Sequence, residues 1–254
     1  CAGTDVTAEA RLSMEPSFGG AGKIGRNPGG LMGVWAEENS RDSLFDAMHR
    51  RETFATSGPR IKPRFFGGWD FDPDLCEQDG LVAAGYENGV AMGSVWPNGK
   101  APGGAPVCVG KVSRDAGVED HPGGLLDRLQ VIKVWHGEDG QFHQSVYDIG
   151  GRMTEGEESD AATPSVDLNT CTPRGAGHDS LCAVWTDPEF DAARSAAYYV
   201  RAVENPSCRW SWQTCLSIIP EADRPEGCRD DSIPKVIQER AWSSPIWYEP
   251  AGTS

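Results

Sequence analysis

Residue types able to hold an anion are crowded into the stretch RRETFATSGPR, Arg50 to Arg60. Arg50, Arg51 and Arg60 bring guanidinium groups, Thr56 and Ser57 bring hydroxyls, and Gly58 leaves a backbone N–H open. Such a set suits a sulfate, phosphate or carboxylate, because planar guanidinium forks and short donors match oxyanion geometry. The concentration stands out in a chain of net charge −15. A plainer role fits the same residues. Arg50 and Arg51 close a predicted helix, where basic side chains favour the negative end of the dipole and pair with Glu37, Glu38 or Asp42. Local chemistry alone favours the helix end over the anion site.

Other constellations carry less. The segment WHGEDGQFH predicts a hairpin. With Asp139-Gly140 as a two-residue turn, His136 and His143 fall opposite each other and could share a metal. Two imidazoles without a third ligand make a weak site, so solvent-facing histidines are expected. Glu37-Glu38 could supply an acid/base carboxyl, but consecutive residues point in different directions and at most one serves a site. The eight cysteines contain no C-x-x-C, which argues against a zinc ribbon. No Cys-His signature and no G-x-S-x-G elbow is present, and GGAGKIG lacks the phosphate-loop pattern. Cys171/Cys182 and Cys208/Cys215 are spaced like the ends of short disulfide-closed loops, which points to an oxidising compartment.

The elements that must position these residues follow from pattern. Residues 1–30 read as loop. GLMGVWAEE reads as a short strand, and Asn39 or Ser40 caps a helix carrying Leu44, Phe45, Ala47 and Met48 on one apolar face. Thr53 to Thr56 reads as a strand ending at Ser57-Gly58-Pro59. Beyond Pro59 the segments IKPRFFGGWDF, APVCVGKV, LLDRLQVIKVWHG, QFHQSVYDI, LCAVWTD and SAAYYVRAVEN predict antiparallel strands, as do nine Trp, 31 Gly and 18 Pro. A sandwich is expected, with EGEESDAATPS (155–165) as a surface loop. The length of 254 residues allows one large domain or two modest ones. The negative charge excludes a nucleic-acid binder, and no apolar run is long enough for a membrane span.

The phrases NPGGLMGVWAEENSRDSLFDAMHRRETFATSGPRI, GYENGVAMG, LCAVWTDPEFD, AYYVRAVENPSCRWS and IQERAWSSPIWY occur in that order over most of the chain. Together they resemble the C-terminal portion of the domain-of-unknown-function family 3604, itself similar to PHP-type (polymerase and histidinol phosphatase) metallohydrolases. The resemblance implies an α+β, mostly β fold. Residues 1–60 would be the last elements of a PHP-like distorted β/α barrel, and 61–254 an antiparallel β-sandwich-like region whose final segment returns to the barrel. It also implies a longer protein, whose N-terminal part holds zinc or manganese and makes a hydroxide that attacks phosphate or sulfate esters. The expected partners are that N-terminal part and a small anionic ester, and the expected location is periplasmic or extracellular.

The resemblance places Asp5 near the metals and makes Arg51, Thr56 and Arg60 the residues that hold the ester, with Arg50 left to structure. The family's Ser/Thr-Asp-Thr-His motif corresponds here to Gly3-Thr4-Asp5-Val6-Thr7, so Thr7 stands where histidine is expected, and threonine is a poor zinc ligand. The start CAGTD resembles a mature lipoprotein, but the match at Gly3-Thr4-Asp5 makes Cys1 an interior residue of a longer chain. Alone, this chain is expected to lack hydrolase activity. The alternative is a non-catalytic β-sandwich module for binding or assembly.

Overall fold

The computed structural model describes residues 7–15, 22–26, 29–96, 104–153 and 163–250. Eleven of its strands build two sheets: β1 (Leu31–Val34), β2 (Thr53–Thr56), β3 (Lys62–Gly68), β4 (Gly89–Ala91), β5 (Val107–Ser113), β6 (Leu126–His136), β7 (Phe142–Gly151), β8 (Ser180–Thr186), β9 (Ala196–Glu204), β10 (Arg240–Ser243) and β11 (Ile246–Tyr248). The first sheet runs β1-β2-β10-β9-β6-β7, with β11 also on β9, and the second runs β8-β5-β3-β4. Neighbouring strands in both are antiparallel. The α-helices are α1 (Ala8–Arg11), α2 (Arg41–His49), α3 (Leu81–Asn88) and α4 (Trp210–Ser217).

Period-two patterning explains why the sheets stack. Ala196, Tyr198, Val200 and Ala202 alternate along β9 toward one face, joined by Leu129 and Val131 of β6. Phe65, Cys108 and Val112 of the second sheet meet them in one buried cluster. Each large side chain removed from water there contributes roughly 1.5–3 kcal/mol. The second sheet's other face is also covered, because Phe66 and Val109 pack with Phe71, Leu75 and Leu81 beneath α3. A Cβ at Gly85 of α3 would lie 2.6 Å from the Phe66 ring, so glycine permits this approach.

The mostly β, antiparallel expectation matches, and all six predicted strand segments after Pro59 form strands. No closed barrel forms among the described residues. The strands drawn from the first 60 residues lie at the margin of the large sheet, where β2 pairs β10 with Thr56 opposite Ala241. Helix α2 starts as expected, with the Ser40 hydroxyl accepting from the Ser43 N–H at 3.3 Å. Its apolar face, however, buries only Ala47, while Phe45 and Met48 remain exposed. Helices α1, α3 and α4 go beyond the sequence expectation, which reads 1–30 as loop, because each is too short for a helical period to register.

Two sequence expectations are corrected. The β6–β7 hairpin has a three-residue turn, Glu138 to Gly140, since the Gly137 N–H donates to the Gln141 carbonyl and Gly140 has φ 74. His143 therefore pairs with Trp135 and His136 with Phe142, so the histidines do not face one another. The cysteine pairing also differs. Disulfides join Cys76–Cys182, Cys171–Cys208 and Cys215–Cys228, leaving buried Cys108 as the free cysteine among the described residues. Cys182 lies in β8 and packs into the cluster beneath α3 together with Cys76, so a partner distant in sequence is adjacent in space. Three disulfides are consistent with an oxidising compartment. No helix among the described residues is long and apolar enough to cross a membrane.

A further small core ties the N-terminal segment to the C-terminal one. Leu12 and Ile24 pack on Cys215 and Cys228. The buried Arg209 guanidinium donates to the carbonyls of Gly25 and Arg26 at 3.2 and 3.1 Å, and Trp210 Nε1 donates to Arg26 O at 2.7 Å.

At the end of β9, Glu204 is 2% exposed and its Oε1 has no hydrogen-bond partner among the described residues. Burial first, then the charges of Glu239 and Asp115, push its carboxyl up to about 7 against the opposing pull of Arg114. The folded value lies above the ordinary 4.5, so the associated stability is present below that pH and is lost as pH rises through about 7. Glu204→Gln should therefore stabilise the protein at pH 8 by on the order of 3 kcal/mol and give almost no gain at pH 4.5. Urea denaturation at the two pH values checks this. An equal shift at both would show that charge is not the cause.

Candidate functional site

The turn after α2 delivers a carboxylate into the protein. Arg50 caps the helix, Arg51 adopts φ 60, the Arg51 N–H donates to Met48 O and the Glu52 N–H donates to Ala47 O. This is a Schellman turn with arginine where glycine is usual, a left-handed conformation costing about 1–2 kcal/mol. The Arg51 side chain offsets that cost. Its Nε donates to Gly93 O at 2.9 Å and its guanidinium lies 5.4 Å from the Trp247 ring. Gly93 must be glycine, because a Cβ there would sit 2.3 Å from Arg51 O.

The consequence is that Glu52, 4% exposed, sits at the floor of a cleft of about 640 Å³. A buried carboxylate requires partners, and three converge on it. Arg64 Nη1 lies 3.2 Å from Oε1, Arg50 Nη2 lies 3.7 Å from Oε2, and the Tyr86 hydroxyl donates to Oε1. Strand β3 supplies Arg64 by alternation: Phe65 turns to the sandwich core, while Arg64 and Phe66 turn toward α3. The Arg64 guanidinium lies 3.8 Å over the Trp35 ring, and Trp35 is itself fixed by donating Nε1 to Pro63 O at 2.9 Å. Arg64 Nη1 also donates to the Tyr86 oxygen at 2.9 Å. Burial, the hydrogen bond to Glu52 and that carboxylate's charge raise the Tyr86 hydroxyl above its ordinary value, with Arg64 opposing. Tyr86 thus keeps its proton at neutral pH and donates it to Glu52.

The structure divides the stretch RRETFATSGPR. Arg50 and Glu52 line the cleft. Arg51 is the clamp on Gly93. Thr56, buried at the far end of β2, accepts from the Gly58 N–H at 3.3 Å. Strand rise separates it from Thr53, at the near end of β2, by roughly 10 Å. Arg60 has an exposed side chain, and its backbone N–H donates to Asp115 Oδ2 at 2.7 Å. Arg51, Thr56 and Arg60 therefore do not converge on one cavity. Glu37 lines the cleft, whereas the Glu38 N–H binds the Ser43 hydroxyl. Asp5 lies outside the described residues. Thr7 caps α1, its hydroxyl accepting from the Ala10 N–H at 3.3 Å, a role histidine would not fill. His143 Nε2 lies 3.0 Å from both Asp139 carboxylate oxygens. Among the described residues no group of three or more His, Cys, Asp or Glu is placed to hold a metal.

Sequence reasoning missed Glu52, Arg64 and Tyr86. A signal existed for Glu52, the one acid between Arg50-Arg51 and a strand, and for Arg64, a cation between Pro63 and Phe65 within a strand. Tyr86 gave none, since α3 is short.

A comparison with protein families matches residues 5–250 to the family described as Protein of unknown function (DUF3604), and the chain belongs to that family. No curated protein and no solved structure matches.

Proposed function

We propose that this DUF3604 member is the C-terminal part of a PHP-like metal-dependent hydrolase acting on phosphate or sulfate esters. In this reading the Glu52 cleft is the wall that holds the anionic group. One observation carries it: Arg64 is locked between the Trp35 ring and buried Glu52 while lining an open cleft beside Arg50. A guanidinium already fixed by packing and by a carboxylate loses little freedom when it binds, so its bonds to an oxyanion act at nearly full strength. Glu52 offsets the charge of Arg64. Arg50, half exposed, then faces the incoming anion, and Glu37 at the rim is screened by solvent.

The role assigned from the sequence to Arg51, Thr56 and Arg60 passes to Arg50 and Arg64. Zinc or manganese, when bound, would supply the attacking hydroxide. The described residues assemble no three-ligand group to fit such a centre. Its ligands belong in this proposal to the N-terminal part, with Asp5 beside it. A periplasmic or extracellular location accords with the three disulfides.

The alternative is a β-sandwich binding module without catalysis, favoured by a cleft in which Glu52, Arg64 and Tyr86 hold one another in place. The two differ in turnover. The longer protein carrying this chain, given zinc or manganese, should cleave p-nitrophenyl phosphate or sulfate and stop when a chelator is added, while residues 1–254 alone stay inactive. Absence of turnover by the longer protein, or turnover indifferent to chelator, would contradict the hydrolase.

A further inference from the structure

Two cations, Arg50 and Arg64, and two carboxylates, Glu37 and Glu52, line the Glu52 cleft among the described residues. The four are not equivalent. The Glu52 side chain is 6% exposed and that of Arg64 19%, so their charges act through little water, while Arg50 at 51% is more open. Glu37 is exposed at the rim. At the floor, two guanidinium groups face one buried carboxylate, which leaves a single positive charge in excess.

Donors remain once the internal contacts are made. A guanidinium carries five N–H groups. Arg64 uses Nη1 on Glu52 Oε1 and on the Tyr86 oxygen, at 3.2 and 2.9 Å. Arg50 reaches Glu52 Oε2 at 3.7 Å, an ion pair longer than a hydrogen bond. Further N–H groups of both arginines are therefore open to ligand oxygens. The Tyr86 hydroxyl is not, because it donates to Glu52.

The excess of one charge decides what fits. An ester anion with one negative charge neutralises it. A second negative charge finds no third cation in the lining and is opposed by Glu37 and Glu52. The penalty for taking an ion out of water grows with the square of its charge, whereas its attraction to a fixed charge grows only in proportion. At neutral pH a sulfate monoester or a phosphate diester carries one charge. A phosphate monoester, with its second ionisation near about pH 6, carries close to two. We propose that the cleft selects an ester whose anionic group is singly charged, a sulfate monoester or a phosphate diester, against a phosphate monoester. Arg50 and Arg64 hold its oxygens, and Glu37 and Glu52 exclude the second charge. This rests on the reading of the Glu52 cleft as the anion site, but not on turnover or on a metal.

Isothermal titration calorimetry of the 254-residue chain, without metal, tests it with phenyl sulfate, methyl phenyl phosphate and phenyl phosphate at pH 5 and pH 8. Phenyl sulfate and methyl phenyl phosphate carry one charge at both pH values, so their ratio to phenyl phosphate isolates the charge of the ligand. At pH 8 both should bind about tenfold more tightly than phenyl phosphate, and at pH 5 all three should agree within about twofold. Glu37→Lys, which adds a third cation at an exposed position, should close most of the gap at pH 8. Arg64→Ala should weaken phenyl sulfate about tenfold. Arg50→Gln should weaken it several-fold with an unchanged unfolding midpoint, since Arg50 is half exposed. Absence of binding by all three esters, or binding indifferent to both arginine variants, would overturn the proposal together with the anion-site reading. Binding that depends on the arginines but is as tight for phenyl phosphate as for phenyl sulfate at pH 8 would overturn the charge selection alone.

Discussion

Replacing Cys76 and Cys182 together by alanine is expected to lower the unfolding free energy by about 4 kcal/mol. The bridge spans a sequence separation of 106, against 37 for Cys171–Cys208 and 13 for Cys215–Cys228. Chain-entropy reasoning gives about 4.7 kcal/mol for a loop near 100 residues and about 3 kcal/mol for one near 15, with measured values usually somewhat lower. Position strengthens the expectation. The bridge fastens the turn carrying Leu75 to β8, and Leu75 belongs to the cluster that seats α3 on the second sheet. Losing the bridge should loosen α3 and with it Tyr86, on the rim of the Glu52 cleft. Guanidinium denaturation of this variant and of Cys215→Ala/Cys228→Ala separates the cases. A larger loss for the shorter bridge would show that loop length does not govern these contributions.

Glu52→Ala should cost about 3 kcal/mol, the lower end of what removing one partner from a buried ion pair costs, because Arg64 keeps some access to water. The cost arises from what is left behind. Arg64 loses its fixed carboxylate, and Tyr86 loses its acceptor. Glu52→Gln keeps the shape and one acceptor oxygen and should lose about half as much. If the loss comes from the orphaned guanidinium, Glu52→Ala/Arg64→Met should recover part of it, which a double-mutant cycle by urea denaturation would read. A change below about 0.5 kcal/mol for Glu52→Ala would mean that the cluster is not a structural unit.

Much of this architecture is legible in local pattern. Alternation and turn residues locate β3, β5, β6, β7, β8 and β9, and Ser40 marks the start of α2, because these features depend on neighbours a few residues away. What depends on distant contacts is not legible. Disulfide partners follow from the packing of the turn before α3 onto β8, which brings Cys76 to Cys182, so short spacing misleads. The turn at Asp139-Gly140 is visible, but its length is set by Gly140 entering a left-handed conformation, and one extra residue moves His136 away from His143. The arginines of RRETFATSGPR look alike as charges. Their separation comes from the Schellman turn, which sends Arg51 outward to Gly93 and Glu52 inward to Arg64, a partner supplied by the other sheet and so not visible from neighbouring residues.

In the proposed hydrolase Arg64, fixed by Glu52 and Trp35, holds the anionic group of the substrate. Steady-state kinetics of the longer protein on p-nitrophenyl phosphate or sulfate, with Arg64→Ala and Arg60→Ala side by side, tests it most directly. Arg64→Ala should lower kcat/KM on the order of a hundredfold, as loss of a preorganised charge donor does, while Arg60→Ala stays within about twofold. Loss of turnover in Arg60→Ala with Arg64→Ala unaffected would contradict the account and return the anion site to the far end of β2.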